Sequence, residues 1–224
     1  IRIIEHSEEA HANAGVQEVN AGAYCFKSSW LWDHLHELTV GKKGEFYLTS
    51  LIQMASAEGA GVEVLLSDDP TEMLGVNNRV QLAQAAAVIH QQAREHWMLQ
   101  GVTMVDPKSV LIDTCVELGQ DTVIHPNTMI LGMSRVGREC HLGPGSVIRD
   151  SRIGDQCTIT ASFLEDATLE DGIDIGPFSH LRPGSYLEHG VHIGNFCELK
   201  NSRIGSGSAM GHFGYMGDAS VGAE

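Results

Sequence analysis

A period of six residues, held for more than a hundred positions, constrains this chain more than any other feature. Ile112, Leu118, Ile124, Ile130, Val136, Leu142 and Ile148 fall on one phase without a gap. Four residues after an aliphatic position comes a small or β-branched residue, as at Val116, Thr122, Thr128, Ser134, Cys140 and Ser146. Glycine often follows the aliphatic residue directly, as at Gly119, Gly137 and Gly143. The phase slips by one at Ser151–Arg152 and resumes at Ile153 and Ile159. It recurs at Ile175, Leu181, Leu187, Ile193 and Leu199, slips again at Ser202–Arg203, and restarts at Ile204 and Met210. Neither the helical period nor the strand period of two sustains such spacing. The pattern predicts a parallel β-solenoid, in which each hexapeptide supplies one short strand and one corner and three of them close a triangular coil. The aliphatic residue points inward, the small residue fills the corner, and glycine permits the bend. Handedness does not follow from the period.

Before Val110 the pattern changes. Val16–Phe26 and Val62–Ser67 read as strands, and Trp30–Glu37 and Tyr47–Glu58 as helices, which together suggest part of an α/β domain. Asn78–Gln100 is an alanine-rich run of helix formers, with Asn77 placed to cap its start and Gly101 its end. Such a helix would span roughly 33 Å and reads as an arm joining the α/β part to the solenoid.

The 224 residues carry 14 Lys and Arg against 29 Asp and Glu, a formal charge of −15. That field repels phosphate backbones and anionic lipid, so nucleic acid and membrane surfaces are not expected partners. With 42% hydrophobic and 19% charged residues the composition is that of a folded protein. No apolar run is long enough to span a bilayer and no signal peptide is recognisable, so a cytoplasmic location is expected. The five cysteines are odd in number and form no C-x-x-C pair, which reads as reduced thiols rather than disulfides or a zinc site. Cys140, Cys157 and Cys197 fall in the small-residue column, where packing explains them without a nucleophilic role. The 25 glycines and the 6% aromatic content suit a fold of tight corners and aliphatic stacks. The chain opens on Ile1 rather than Met, and a slice cut at both ends is expected.

Several segments, in order, resemble a known family. They are Val19-Asn20-Ala21-Gly22, Gly44-Glu45-Phe46-Tyr47-Leu48-Thr49 and Gly75-Val76-Asn77-Asn78-Arg79 ahead of the helix. Within the hexapeptides come Gly176-Pro177-Phe178, Leu181-Arg182-Pro183-Gly184, Gly194-Asn195-Phe196 and Gly211-His212-Phe213-Gly214-Tyr215-Met216-Gly217-Asp218. Together they resemble the bacterial bifunctional N-acetylglucosamine-1-phosphate uridyltransferase / glucosamine-1-phosphate acetyltransferase family, over essentially the whole chain. The resemblance implies the C-terminal part of a Rossmann-like nucleotidyltransferase domain over residues 1–77. It implies a helical arm over 78–101 and an incomplete left-handed parallel β-helix acetyltransferase domain over 102–224. It further implies a homotrimer that makes UDP-N-acetylglucosamine, with acetyl-CoA and UTP as co-substrates and Mg²⁺ at the uridyltransferase site. The UTP loop would precede Ile1 and the rest of the acetyl-CoA site would follow Glu224, so this chain alone is expected to show neither activity.

The resemblance also assigns residues. Acetyl transfer needs a base near neutral pKa, and His212 stands at the family's catalytic position. Glu198 matches a carboxylate that orients the base, although alone it would read as a solvated charge. Arg182, Lys200 and Tyr215 match sugar-phosphate ligands, and cations suit a phosphate. Asn195 matches a motif position that could equally be a stacked corner asparagine. Asn77 matches the metal-binding asparagine, a role compatible with capping a helix, since magnesium takes oxygen ligands. Glu5 and Asn20 match residues that hydrogen-bond the N-acetylglucosamine ring. The sequence departs from the family pattern at Ala21, Ser50, Ala209 and Gly214, which suggests a divergent member. Two other classes stay open on the residues alone. One is a sugar-1-phosphate nucleotidyltransferase whose solenoid only oligomerises or regulates, and the other a solenoid used purely for assembly. A zinc-dependent carbonic anhydrase is disfavoured, because His141, His180, His189, His192 and His212 form no ligand pattern.

Overall fold

The computed structural model describes Ile3 and residues 18–41 and 44–223. The chain divides into two compact units, residues 1–82 and 83–224.

The second unit is the solenoid. Its strands form three seven-stranded sheets, every pairing parallel and always with the strand one coil away. The first face runs from Thr103–Met104 to Ala209–His212, the second from Leu111–Ile112 to Tyr215–Gly217, and the third from Glu117–Leu118 to Ser220–Val221. Each strand is two to four residues long, so one side chain per strand reaches the interior. Ile124, Leu142, Ile159, Ile175 and Ile193 stack inside the first face, all fully buried. Ile112, Ile130, Ile148, Leu164, Leu181 and Leu199 do the same inside the second.

The period is less regular than the two slips read from the sequence. Five residues instead of six also separate Ile159 from Leu164 and Leu164 from Leu169, and all three point inward. The shortened corners are each turned by one left-handed residue, among them Asp150, Ala161, Asp166, Asn201 and Asp218. Asp and Asn tolerate that conformation better than most residues.

The small-residue column is a second ladder. Its hydroxyls donate to a carbonyl and accept a backbone N–H from the next coil. Ser179 Oγ, for example, donates to the Gly194 carbonyl at 2.6 Å and accepts from Cys197 N at 3.1 Å. Thr122, Ser134, Ser146, Ser151, Ser162 and Ser202 accept in the same way. Among the described residues no buried side-chain nitrogen or oxygen lacks a partner. Cys140, Cys157 and Cys197 occupy the same column and are buried free thiols. The hydrogen bond with Cys140, together with burial, pushes the Cys157 thiol up, so it stays protonated.

Helix α3 (Arg79–Leu99) precedes the first coil. Its N-cap is Asn78, whose Oδ1 accepts from Gln81 N at 3.0 Å, rather than the expected Asn77. Asn77 contributes its own backbone N–H to the Gln81 side chain, a reciprocal pairing like a capping box. Gly101, at φ +94°, ends the helix as expected. Val102 N then reaches Trp97 O and Gly101 N reaches Met98 O, the two bonds of a Schellman motif. From Ala83 onward the helix belongs to the solenoid unit. His90 Nδ1 lies 3.2 Å from the Ile112 carbonyl, Arg94 donates to the Val110 carbonyl, and Trp97 packs on the core.

In the first unit, α1 (Ser28–His34) continues as a 3₁₀ turn to Glu37, and α2 covers Ser50–Ala57, close to the two helices expected. The expected strands are not formed: residues 18–26 and 62–67 lack strand pairing, and the rest of the first lies outside the described residues. The only bridge among the described residues here joins Val40 and Phe46. An extended segment becomes a strand only when a neighbour completes its ladder, and none does so among the described residues. Trp30, His34 and Glu58 form a small cluster, with Trp30 Nε1 3.0 Å and His34 Nε2 3.1 Å from the carboxylate. The Trp30 carbonyl, and then Glu58, hold the His34 imidazole above its ordinary pKa.

Two outcomes are expected from this packing. Ser179→Ala leaves the buried Cys197 N–H without its partner and costs about 1–3 kcal/mol, read as a Tm lower by several degrees in thermal unfolding. In the native protein a thiol reagent labels Cys25 and Cys115, which are exposed, while Cys140, Cys157 and Cys197 react only after denaturation.

Candidate functional site

The solenoid brings four of the sequence-predicted residues onto its second face. A strand alternates in and out, so Leu181 pointing inward turns His180 and Arg182 outward, and Leu199 does the same for Glu198 and Lys200. The ladder sets Glu198 beside both His180 and Tyr215, and Lys200 beside Gly217. Two outward columns result. One holds Phe163, His180, Glu198 and Tyr215, and the other holds Arg149, Glu165, Arg182, Lys200 and Gly217.

The charges in these columns pair across coils. Arg182 Nη1 donates to Glu198 Oε1 at 2.9 Å, and His180 Nε2 lies 3.1 Å from Glu165 Oε2. Lys200 Nζ is 4.0 Å from Asp218 Oδ2, a loose pair. Glu198 therefore partners Arg182, and the structure gives it no hydrogen bond to His212, the histidine it was expected to orient. Such half-exposed pairs are individually weak, so an incoming anion can compete for the cations. A side chain at Gly217 would collide with the Tyr215 hydroxyl, so glycine here lets the tyrosine lie across the Lys200 column.

His212 ends the last strand of the first face, in register with Asn195. It is exposed and meets the Phe213 ring edge-on, with centroids 5.7 Å apart. Phe213 is left-handed, at φ +50°, and turns the chain so that Tyr215 starts the last strand of the second face two residues later. The base candidate and the cation-bearing face thus flank one corner. Phe178, Phe196 and Phe213 stack along that corner, with centroids 5.4 and 5.1 Å apart.

Among the described residues no contact joins the candidates expected for uridyl transfer. Asn20 is exposed and engaged locally, donating to the Tyr24 hydroxyl at 2.6 Å and accepting from Gly22 N. Asn77 is exposed at the foot of α3, and Glu5 lies outside the described residues. Among the described residues no group of three His, Cys, Asp or Glu side chains could hold a metal ion. No helix among the described residues is long and apolar enough to cross a membrane.

The sequence reading weighed His180 only as a zinc ligand, not as a member of this face, and passed over Glu165. His180 could have been found by alternation, two residues before Arg182. Glu165 could not, because its place depends on the length of the intervening coil.

Fold and site together define a hexapeptide-repeat β-solenoid with a polar, cation-bearing face beside a histidine corner. No family model matches the chain. Its homologues are the proteins named Bifunctional protein GlmU. The one from Pelobacter propionicus is 41% identical over 226 aligned residues, covering all of this chain and 49% of that protein. The one from Enterococcus faecalis is 39% identical over 224 residues, with 100% and 49% covered. The chain therefore spans about half the length of the curated relatives it matches. Among solved structures, a UDP-N-acetylglucosamine acyltransferase from Campylobacter jejuni aligns with TM-score 0.27 and 14% identity, over 54% of this chain and 62% of that one. The acetyltransferase domain of PglB from Neisseria gonorrhoeae aligns with TM-score 0.25 and 16% identity, over 77% and 88%. Likenesses of that size say nothing of function.

The site geometry carries one expectation of its own. Gly217→Val forces the Tyr215 ring off the Lys200 column while leaving the buried core untouched. A crystal structure of the variant should show the tyrosine in another rotamer, with a Tm within about 1 °C of wild type, as for a surface substitution.

Proposed function

We propose that the parent protein acetylates glucosamine 1-phosphate with acetyl-CoA, a step toward UDP-N-acetylglucosamine, and that the second solenoid face binds the sugar phosphate. The observation that carries this reading is the placing of Arg182, Lys200 and Tyr215 on adjacent rungs of one face, with His212 round the corner. They sit in a chain about 40% identical to bifunctional GlmU proteins.

The chemistry follows from the groups present. Arg182 and Lys200 receive the phosphate, a doubly charged anion that competes with Glu198 and Asp218 for them. In a chain of net charge −15 such local cations must overcome an adverse field. The sugar's amine, its ammonium proton already lost to solvent, attacks the thioester carbonyl, and His212 takes a proton from the nitrogen of the tetrahedral intermediate. As the tetrahedral intermediate collapses, the C–S bond breaks and the protonated His212 returns a proton to the leaving thiolate. The products are the N-acetyl sugar phosphate and free coenzyme A. Glu198 tunes how firmly Arg182 is held before substrate arrives.

The site on one copy is an open face, with His212 and Tyr215 exposed and Arg182, Glu198 and Lys200 half-buried. A homotrimer, in which neighbouring prisms wall the face, agrees with this openness. We assign residues 1–77 to a uridyltransferase domain, 78–101 to the arm and 102–224 to the acetyltransferase domain. Uridyl transfer from UTP with Mg²⁺ belongs to the whole protein, and no step of it is derived from the described residues. The working compartment proposed is the cytoplasm.

The test is thiol release from acetyl-CoA with glucosamine 1-phosphate, on a chain completed to the length of its relatives. His212→Ala should lower kcat about 10²–10⁴-fold. Arg182→Ala should raise KM for the sugar phosphate about tenfold or more with a smaller change in kcat, as expected for a lost charge-assisted bond. A completed wild type that releases no thiol overturns the reading.

A further inference from the structure

The second face holds a carboxylate that the proposed reaction does not use. Glu165 stands one rung below Arg182 in the same outward column, and Arg149 stands one rung below Glu165. Directly stacked opposite charges on neighbouring strands attract. Yet Glu165 makes no ion pair with either arginine. Its Oε2 is turned across the column to His180 Nε2, at 3.1 Å, and the His180 ring is steadied edge-on by Phe163. Arg182 meanwhile carries a single carboxylate, Glu198, on its upper side.

We infer that His180 is a positioning residue for the phosphate subsite: by holding Glu165 across the column it keeps a second carboxylate off Arg182. The inference rests on the reading of Arg182 as a sugar-phosphate ligand. An Arg182 flanked by Glu165 below and Glu198 above would be neutralised twice over. An anion would then have to displace both carboxylates. With His180 in place it displaces one. The interaction needs only an N–H at Nε2, which the neutral imidazole can supply. His180 need not touch the ligand. Its effect falls on affinity for the phosphate and leaves the acyl-transfer step alone.

The experiment is titration calorimetry of this chain with glucosamine 1-phosphate, using five proteins: wild type, H180A, H180Q, the double variant H180A/E165Q, and R182A. Both partners are about 40% exposed, so the substitutions do not disturb the core. H180A should weaken binding about three- to fivefold, the size of a half-exposed ion-pair effect. H180Q, whose amide can still donate to Glu165, should bind like wild type. The double variant should also return to wild-type affinity, because the carboxylate no longer needs restraint. A purely structural role for His180 would not be rescued by E165Q.

The inference is overturned if H180A binds like wild type, as it would were the freed Glu165 to turn to Arg149. It is overturned equally if the double variant stays as weak as H180A, which would make His180 a direct ligand. Weakening by R182A with no effect of H180A sinks this inference alone. An R182A that binds like wild type, or a wild type without measurable binding, sinks the phosphate reading of the face and this inference with it.

Discussion

The structure depends on one repeated event, the hydrogen-bonded stacking of each coil on the one before it. Strands of two to four residues are too short to be stable alone. They persist because every strand between the first and last coils is paired on both sides, and because the corners are bonded too. The buried hydroxyl column converts what would be unsatisfied corner N–H groups into a second ladder, as Ser179 does between the Gly194 carbonyl and the Cys197 amide. Aliphatic stacking supplies the non-directional part of the stabilisation, and the two ladders fix which residue lies over which.

That fixed stacking creates the polar face. Arg182 and Glu198 are 16 residues apart in sequence but occupy adjacent rungs, close enough for a 2.9 Å contact. Outward positions carry no packing duty, so they are free to hold charges in register. The resulting checkerboard leaves Arg182 and Lys200 with one carboxylate each, a balance that an incoming phosphate can upset. The left-handed Phe213 turn brings His212 to the edge of the same face without adding a loop, which keeps the base candidate on a rigid scaffold. Rigid placement of this kind favours acid–base work, where a misplacement of about 1 Å is costly.

The two units show how differently sequence patterns convert into structure. The inward residues Ile112 to Ile148 were legible because every hexapeptide repeats the same local instruction and the neighbours all agree. Leu164 and Leu169 were harder, since two corners in succession are one residue short and a single left-handed residue absorbs the difference. The segments expected as strands have apolar residues in suitable number, but over their described parts, 18–26 and 62–67, no neighbour among the described residues pairs with them. A strand is a property of a pair, and the local sequence states only half of it.

The sequence by itself determined the solenoid, its core columns, the burial of the Cys140, Cys157 and Cys197 thiols, and the glycine that ends α3 at Gly101. Each of these is written in local composition or in a strict period, so no distant information is needed. Only the tertiary structure decided that Asn78 rather than Asn77 caps α3, that Glu198 meets Arg182, and that Glu165 is held by His180. These are contacts between coils, or choices between adjacent side chains, and they depend on register. One residue gained or lost at a corner shifts that register, and the period in the sequence does not record which carboxylate then faces which cation.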